Sequence, residues 1–384
     1  DRNIAPTMAQ MSSAAEQQDI SHRIAAEWKQ TAGRSIWFNR AAYFNEQLNY
    51  KDTINTIRSN NQFHTLIAET ELKYSLNAHH LFNLGLNNTY SKAISDGFAS
   101  ILTQNRTAIF GAYTLALLSD RFKATISARQ EWISKQSGAF TYAAGAEHQF
   151  NSYISIRASM AKVYRVPTFN DLYWTPGGNP DLLPESGYNE DFGLKIKFIN
   201  KQNALWSLEP TAFNRTVANW IIWLPATFYW SPSNIMQVWS RGLETKSTIR
   251  LAVKRWTVQS HVLTNYVIST NQKLKTAGDV SLGKQLIYVP TYSAQAGISL
   301  GYNGYGISYN QTYTGYVYTA ADHSAYIQPY SLANIRLSKQ INLKDYVFDI
   351  SLGANNLFNI KYQVLASRAM PLRNYQIGIN LQLK

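Results

Sequence analysis

The sequence predicts an all-β protein, a transmembrane antiparallel β-barrel, with about 17 strands present of a 22-stranded barrel. Three observations predict it. The chain is long and rich in aromatic residues, yet no window is continuously apolar over the roughly 18 residues a membrane helix needs. Its clearest strands alternate apolar and polar residues. Its connections alternate between short turns and long loops, the asymmetry of a barrel with turns on one rim and loops on the other.

The composition sets the class. With 384 residues, 25 Tyr, 16 Phe and 10 Trp, beside a negative mean hydropathy, one large aromatic-rich β structure fits better than several small enzyme domains. There is no Cys, which excludes a disulfide framework and thiol chemistry. The net charge of +13 is spread along the chain rather than gathered in a run. With no nucleic-acid fold signature beside it, that charge points to lipid head groups or an anionic solute in a polar lumen, and nucleic acid is not an expected partner.

Taken in chain order, short links fall near 30–33, 76–78, 119–121, 148–151, 200–203, 254–257, 302–304 and 340–345. Longer ones fall near 51–60, 91–105, 167–185, 225–233, 270–284, 319–323 and 359–371, with one exception, the short link at 134–138 on the long-loop side. These boundaries place the first strand near Asp19 and the last at the C-terminal residue, Lys384, with residues 1–384 forming one barrel domain and no second domain visible. Residues 1–18 carry no signal-peptide pattern and are expected to close a polar outer loop. Single-chain bacterial barrels have even strand numbers, so an odd count leads to the expectation of an N-terminal portion of about five strands outside this sequence.

Three strands justify the alternation. In the strand before position 165, Ile154, Ile156, Ala158 and Met160 share one parity and Ser155, Arg157, Ser159 and Arg165 the other, with Lys162 breaking the apolar set near the strand end. Phe348, Ile350, Leu352 and Ala354 alternate with Asp349, Ser351, Gly353 and Asn355. Tyr375, Ile377, Ile379, Leu381 and Leu383 alternate with Asn374, Gln376, Gly378, Asn380 and Gln382. Taken alone, the last two would also suit a soluble sandwich with its apolar parity on a core.

The stretch Arg165-Val-Pro-Thr-Phe-Asn-Asp-Leu-Tyr-Trp174, followed by Asn179-Pro-Asp-Leu-Leu-Pro-Glu185, closes one strand and opens a turn-rich loop. Together with Ser240-Arg-Gly-Leu-Glu-Thr245 and the ending Asn355-Asn-Leu-Phe-Asn359 through Pro371-Leu-Arg-Asn-Tyr375, it resembles the TonB-dependent outer-membrane transporters, closest to their cobalamin and siderophore branch. The resemblance implies a plug before the barrel, an N-terminal box contacting TonB, and 22 strands; neither plug nor box is identifiable in this sequence. Leu183 stands where the family pattern has a basic residue, and the chain ends in Leu383-Lys384 where an aromatic is usual.

Pro167 fixes its own φ and biases Val166 toward extended geometry, and Pro180 and Pro184 with Gly177 and Gly178 punctuate the return. Arg165, Pro167, Asn179, Pro180, Pro184 and Glu185 are therefore expected to order the barrel mouth. Ligand contact is expected from aromatics on the long-loop side, namely Tyr173, Trp174, Trp220, Trp223, Phe228, Tyr229 and Trp230, whose flat rings with polar handles suit a corrinoid or a metal chelate. The bland reading of the same rings is an interfacial aromatic girdle. His79 and His80 are neighbours and so cannot both face a lumen from a regular strand, which argues against a haem ligand pair. No catalytic signature is present, so no enzyme activity, metal or cofactor is expected.

The expected function is TonB-dependent import of a scarce large nutrient across the outer membrane, with the TonB complex reached through the missing N-terminal segment, and with lipid and a small-molecule ligand as partners. A passive pore is the first alternative. The second is a scaffold barrel holding a surface lipoprotein or other outer-membrane proteins.

Overall fold

The computed structural model describes residues 2–4, 14–225, 229–273 and 278–383. Among them the chain forms β1 (Arg2–Ile4), β2 (Ala15–Ala32), β3 (Ser35–Asp52), β4 (Ile57–Ser75), β5 (His80–Ser95), β6 (Leu102–Leu117), β7 (Phe122–Ile133), β8 (Gln136–Gln149) and β9 (Ile154–Arg165). A short helix, α1 (Phe169–Tyr173), precedes β10 (Glu185–Lys201), β11 (Ala204–Pro225), β12 (Trp230–Val253), β13 (Trp256–Asn271), β14 (Tyr292–Tyr302) and β15 (Tyr305–Thr314). Then come β16 (Val317–Tyr318), β17 (Tyr326–Ile327), β18 (Tyr330–Asn342), β19 (Tyr346–Asn355) and β20 (Asn374–Leu383). Eighteen strands share one sheet, and β16 pairs only with β17.

The chain divides into two compact units, residues 1–147, 159–190 and 216–238 in the first and 148–158, 191–215 and 239–384 in the second. In the first, β2 to β7 pair in sequence, each antiparallel to the next, and β3 matches β4 over its whole length from Ser35↔Tyr74 to Asp52↔Ile57. The register sorts residues by face. Ile24, Tyr43, Leu66 and Tyr90 stand opposite one another across four strands, and all four are exposed. On the other face the row is Glu27, Arg40, Glu69 and Asn87.

That second row is bonded throughout. Arg40 donates from Nε to Glu27 Oε2 at 2.8 Å and from Nη1 to Glu69 Oε1 and Glu71 Oε2, each at 2.7 Å. Asn83 donates to Glu71 Oε1 at 2.8 Å, and Asn87 to Glu69 Oε2 at 3.3 Å. A second group joins Arg106 and Arg129 to Glu131 at 2.8 and 3.2 Å. Cross-strand charge pairs of this kind contribute a few tenths to about 1 kcal/mol each, so their value lies in fixing the register of long strands.

In the second unit β13, β14, β15, β18, β19 and β20 pair in sequence. One register row reads Val258, Leu300, Ile307, Leu337, Leu352 and Ile377, apolar on every strand. The opposite face is polar, with Ser299 donating to Ser308 at 2.9 Å and Arg336 donating to Ser351 at 2.9 Å. Rings flank the apolar rows at both ends. Trp256, Tyr302 and Tyr305 stand in line at one end, the first two with ring centroids 4.5 Å apart, and Lys339 places its Nζ 3.3 Å from the Tyr305 centroid. Tyr266, Tyr292 and Tyr313 mark the other.

From Trp256 to Tyr266 is ten residues along β13, or roughly 33 Å at the usual rise per residue; a strand tilt of about 40° makes that a band about 25 Å tall. A soluble sandwich would bury this parity. Instead Ile377 is 77% exposed, Ile379 72% and Leu352 53%.

Several expected boundaries are corrected. Residues 1–18 are not simply the end of a loop, since Arg2, Asn3 and Ile4 pair with Gln17, Glu16 and Ala15. The link expected at 51–60 is only 53–56, because Asp52, 1% exposed, accepts from the amides of Ile54 and Asn55 at 3.1 and 3.2 Å and from Asn55 Nδ2 at 2.7 Å. Strand β12 already runs at Trp230, which shortens the loop expected at 225–233. The link expected at 319–323 is part of the longer stretch 315–329, which holds β16 and β17. In the first three cases a strand reaches beyond the stretch where alternation can be read, and in the last an added hairpin, β16 with β17, lengthens the connection.

One glycine fixes a close strand approach. A Cβ on Gly187 would lie 1.8 Å from the carbonyl oxygen of Thr216, so β10 tolerates no side chain there.

Candidate functional site

The motif at the end of β9 builds a compact knot within the first unit. Arg165 forms a fork on Glu185, Nε donating to Oε2 at 2.7 Å and Nη2 to Oε1 at 2.6 Å. Glu185 is 9% exposed and also accepts from the backbone N–H of Ile221 at 2.8 Å, which ties β9, β10 and β11 through one carboxylate. Arg165 Nη1 lies 3.8 Å from Asp171, a longer electrostatic contact.

Helix α1 follows because Thr168 caps it. Thr168 Oγ1 accepts from the Asp171 amide at 3.2 Å, and Asp171 Oδ2 accepts from the Thr168 amide at 2.9 Å, a reciprocal capping box. The other carboxylate oxygen of Asp171, which is 6% exposed, accepts from Trp223 Nε1 at 3.0 Å. Leu172, Leu182 and Ile221 form a buried apolar cluster under the helix, with Tyr173 packed against it.

The return path is held by side-chain amides. Asn179 donates to the Pro232 carbonyl at 3.2 Å and accepts from the Asp181 amide at 3.0 Å. Asn234 accepts from the Leu183 amide at 2.6 Å and donates to the carbonyls of Leu183 and Asn219 at 2.9 and 2.7 Å. Asn219 reaches the Pro184 carbonyl at 3.4 Å. A Cβ on Gly178 would meet the Trp174 nitrogen at 2.5 Å, so only glycine fits this return. Pro167 is buried, Pro184 half-buried and Pro180 exposed.

The aromatic candidates separate. Trp174 packs edge-on against Phe98, centroids 6.4 Å apart, and the Thr175 amide donates to the Gly97 carbonyl at 2.9 Å, so this ring pins the loop to the 96–101 connection. Trp223 is half-buried on Asp171 and Tyr173 half-buried on the apolar cluster. Trp220 and Tyr229 are exposed. Phe228 lies outside the described residues, and so does the side chain of Trp230. His79 Nδ1 sits 2.8 Å from the Ala116 carbonyl and His80 Nδ1 2.6 Å from the Tyr113 hydroxyl.

Sequence reasoning missed Asp171, Asn219 and Asn234. For Asp171 a signal existed, the spacing Thr168-x-x-Asp171 of a capping box. For the two asparagines there was none, since their partners lie 15 to 51 residues away.

A sequence-family description, TonB dependent receptor-like, beta-barrel, matches residues 9–357. The vitamin B12 transporter BtuB of Vibrio vulnificus strain CMCP6 is 24% identical over 296 residues, which is 76% of this chain and 44% of that protein. BtuB of Photobacterium profundum is 25% identical over 203 residues, 52% of this chain and 31% of that protein. Among solved structures, the apoprotein of the FrpB iron transporter from Neisseria meningitidis (F5-1 variant) superposes with a TM-score of 0.75 at 14% identity, covering 98% of this chain and 66% of that one. The siderophore receptor PiuA from Acinetobacter baumannii gives 0.73 at 15% identity, covering 96% and 64%. At these identities the structural likeness speaks for the fold alone, and the chain spans less than half the length of the curated relatives it matches.

Proposed function

This chain belongs to the TonB-dependent receptor β-barrel family, and on that premise we propose that it is the barrel part of an outer-membrane transporter for a scarce large nutrient, a corrinoid such as cobalamin or a ferric siderophore. The observation that carries the reading is the family match over residues 9–357, which takes in both compact units. In this reading the 22-stranded barrel is completed, and the plug and TonB box supplied, by chain outside the present sequence. The exposed apolar rows face lipid, the bonded polar rows line the lumen, and the motif loop at 166–184 stands at the outer mouth. Transport needs no resident cofactor and no chemical step; TonB acts on the plug by using the inner-membrane proton gradient.

Within that reading the candidate residues take two roles. Arg165, Pro167, Asn179, Pro180, Pro184 and Glu185, with Trp174 and Trp223, hold the mouth in shape. Trp220 and Tyr229, the exposed rings among those described, contact the ligand, with Phe228 and Trp230 beside them in sequence.

Equilibrium binding of cyanocobalamin and of a ferric catecholate to the full-length protein tests the assignment. Removing both rings by Trp220→Ala and Tyr229→Ala is expected to weaken the preferred ligand by about tenfold to a hundredfold, the usual range for aromatic anchors. Unchanged affinity for both ligands would remove these residues from the site.

A further inference from the structure

The second unit holds a concavity that the import reading does not use. It measures about 660 Å³ and opens at the long-loop end of β13 to β15, on the side of the sheet that carries the exposed apolar rows. Tyr266, Tyr292, Tyr313, Tyr316 and Tyr318 provide its rings, and Leu243 lines it from β12. A flat interfacial girdle would leave no such hollow.

The hollow is built rather than incidental. The loop after β15 is pinned to the sheet by the Gly315 amide donating to the Tyr292 carbonyl at 2.9 Å. The Tyr318 carbonyl accepts from the Tyr288 amide at 2.8 Å, and the Tyr318 ring is stacked on His323 at 3.7 Å. His323 in turn sits with Nε2 2.9 Å from the Gln285 carbonyl. Tyr266 and Tyr292 close the floor with centroids 4.8 Å apart. Its volume lies within the roughly 300–1,000 Å³ of ligand sites.

Its chemistry is that of an amphiphile. Among the described residues no Asp, Glu, Lys or Arg lines the hollow. Two residues beyond Leu243 on the same parity of β12, about 7 Å toward the long loops, stands Arg241. Its guanidinium lies 3.6 Å over the Trp239 ring and donates to Thr270 Oγ1 at 3.3 Å, and among the described residues no carboxylate pairs with it. Glu244, its nearest acidic neighbour in sequence, points to the opposite parity. An apolar hollow with a cation above it matches an acyl chain carrying an anionic head.

We propose that this hollow seats an acyl chain of one outer-leaflet phosphorylated glycolipid, with the lipid phosphate on Arg241. The choice of leaflet rests on the proposed outer-membrane orientation, in which the long loops face outside.

The test uses the full-length protein extracted from outer membranes in mild detergent, with bound lipid read by native mass spectrometry. Wild type is expected to retain about one glycolipid per chain; Ala294→Trp, which fills the hollow, and Arg241→Ala, which removes the cation, are each expected to retain at least about tenfold less. Heat-modifiable gel mobility confirms folding of each variant, and Thr245→Trp fills the hollow from another strand if Ala294→Trp does not fold. Equal retention by wild type and the folded variants overturns the proposal, as does a folded wild type that carries phospholipid or nothing. Absence of the protein from the outer-membrane fraction would instead sink the import reading.

Discussion

Arg165→Ala is expected to release the loop at 166–184 to proteolysis. The substitution leaves Glu185, 9% exposed, with the Ile221 amide but without the fork from Nε and Nη2. A charged pair broken from one side costs several kcal/mol when fully buried, because the other charge stays without its partner. The Arg165 side chain is 47% exposed, and solvent screening reduces the loss to about 2 kcal/mol. Opening of the loop should then be roughly thirtyfold more frequent, and cleavage by proteinase K within 166–184 in outer-membrane vesicles faster by the same order. The double variant Arg165→Ala with Glu185→Ala should be less damaged than the sum of the two singles, since it does not leave the Glu185 carboxylate buried without its cation. Equal cleavage of wild type and Arg165→Ala would show that the fork does not order the mouth.

Ile298→Arg probes the other large term. Ile298 stands in the register row with Ser260, Tyr309 and Ile335, near the middle of the band between Tyr292 and Tyr302, and is 42% exposed. On a lipid-facing strand an arginine at the bilayer midplane costs about 2–4 kcal/mol. On a water-facing surface the same change falls within about 0.5 kcal/mol of neutral. Reversible urea unfolding in lipid vesicles should therefore show a clear loss for Ile298→Arg, and a much smaller one for Ser299→Arg on the opposite parity. Equal, small effects at the two positions would contradict a lipid-facing band.

What was legible in the sequence follows from where the two faces of a strand differ. On β19 and β20 each apolar residue sits opposite another, Phe348 on Leu381, Ile350 on Ile379 and Leu352 on Ile377, and the alternation could be read directly. The beginning of β2 and the end of β3 are polar on both sides and looked like loop, and at the start of β12 the run Ser231-Pro232-Ser233 carries turn chemistry within a strand. Lys339 is a charge on the apolar parity, and its placement over Tyr305 explains how a cation is tolerated there.

The candidate site was legible as a motif but not as an arrangement. Arg165 and Glu185 were legible as members of one motif, whereas the fork between them and the row Glu27, Arg40, Glu69 and Asn87 depend on strand placement that no local pattern encodes. Trp174 and Trp223 carried the same composition signal as Trp220. Only packing separates rings docked on Phe98 and Asp171 from one exposed to solvent.

The measurement that bears most directly on the account is uptake of radiolabelled cobalamin and of a radiolabelled ferric siderophore by cells whose only receptor is the full-length protein, with TonB present or deleted. The account predicts accumulation of one of the two ligands that disappears without TonB or when the proton gradient is collapsed. Accumulation that proceeds equally without TonB would contradict active import and describe a passive pore.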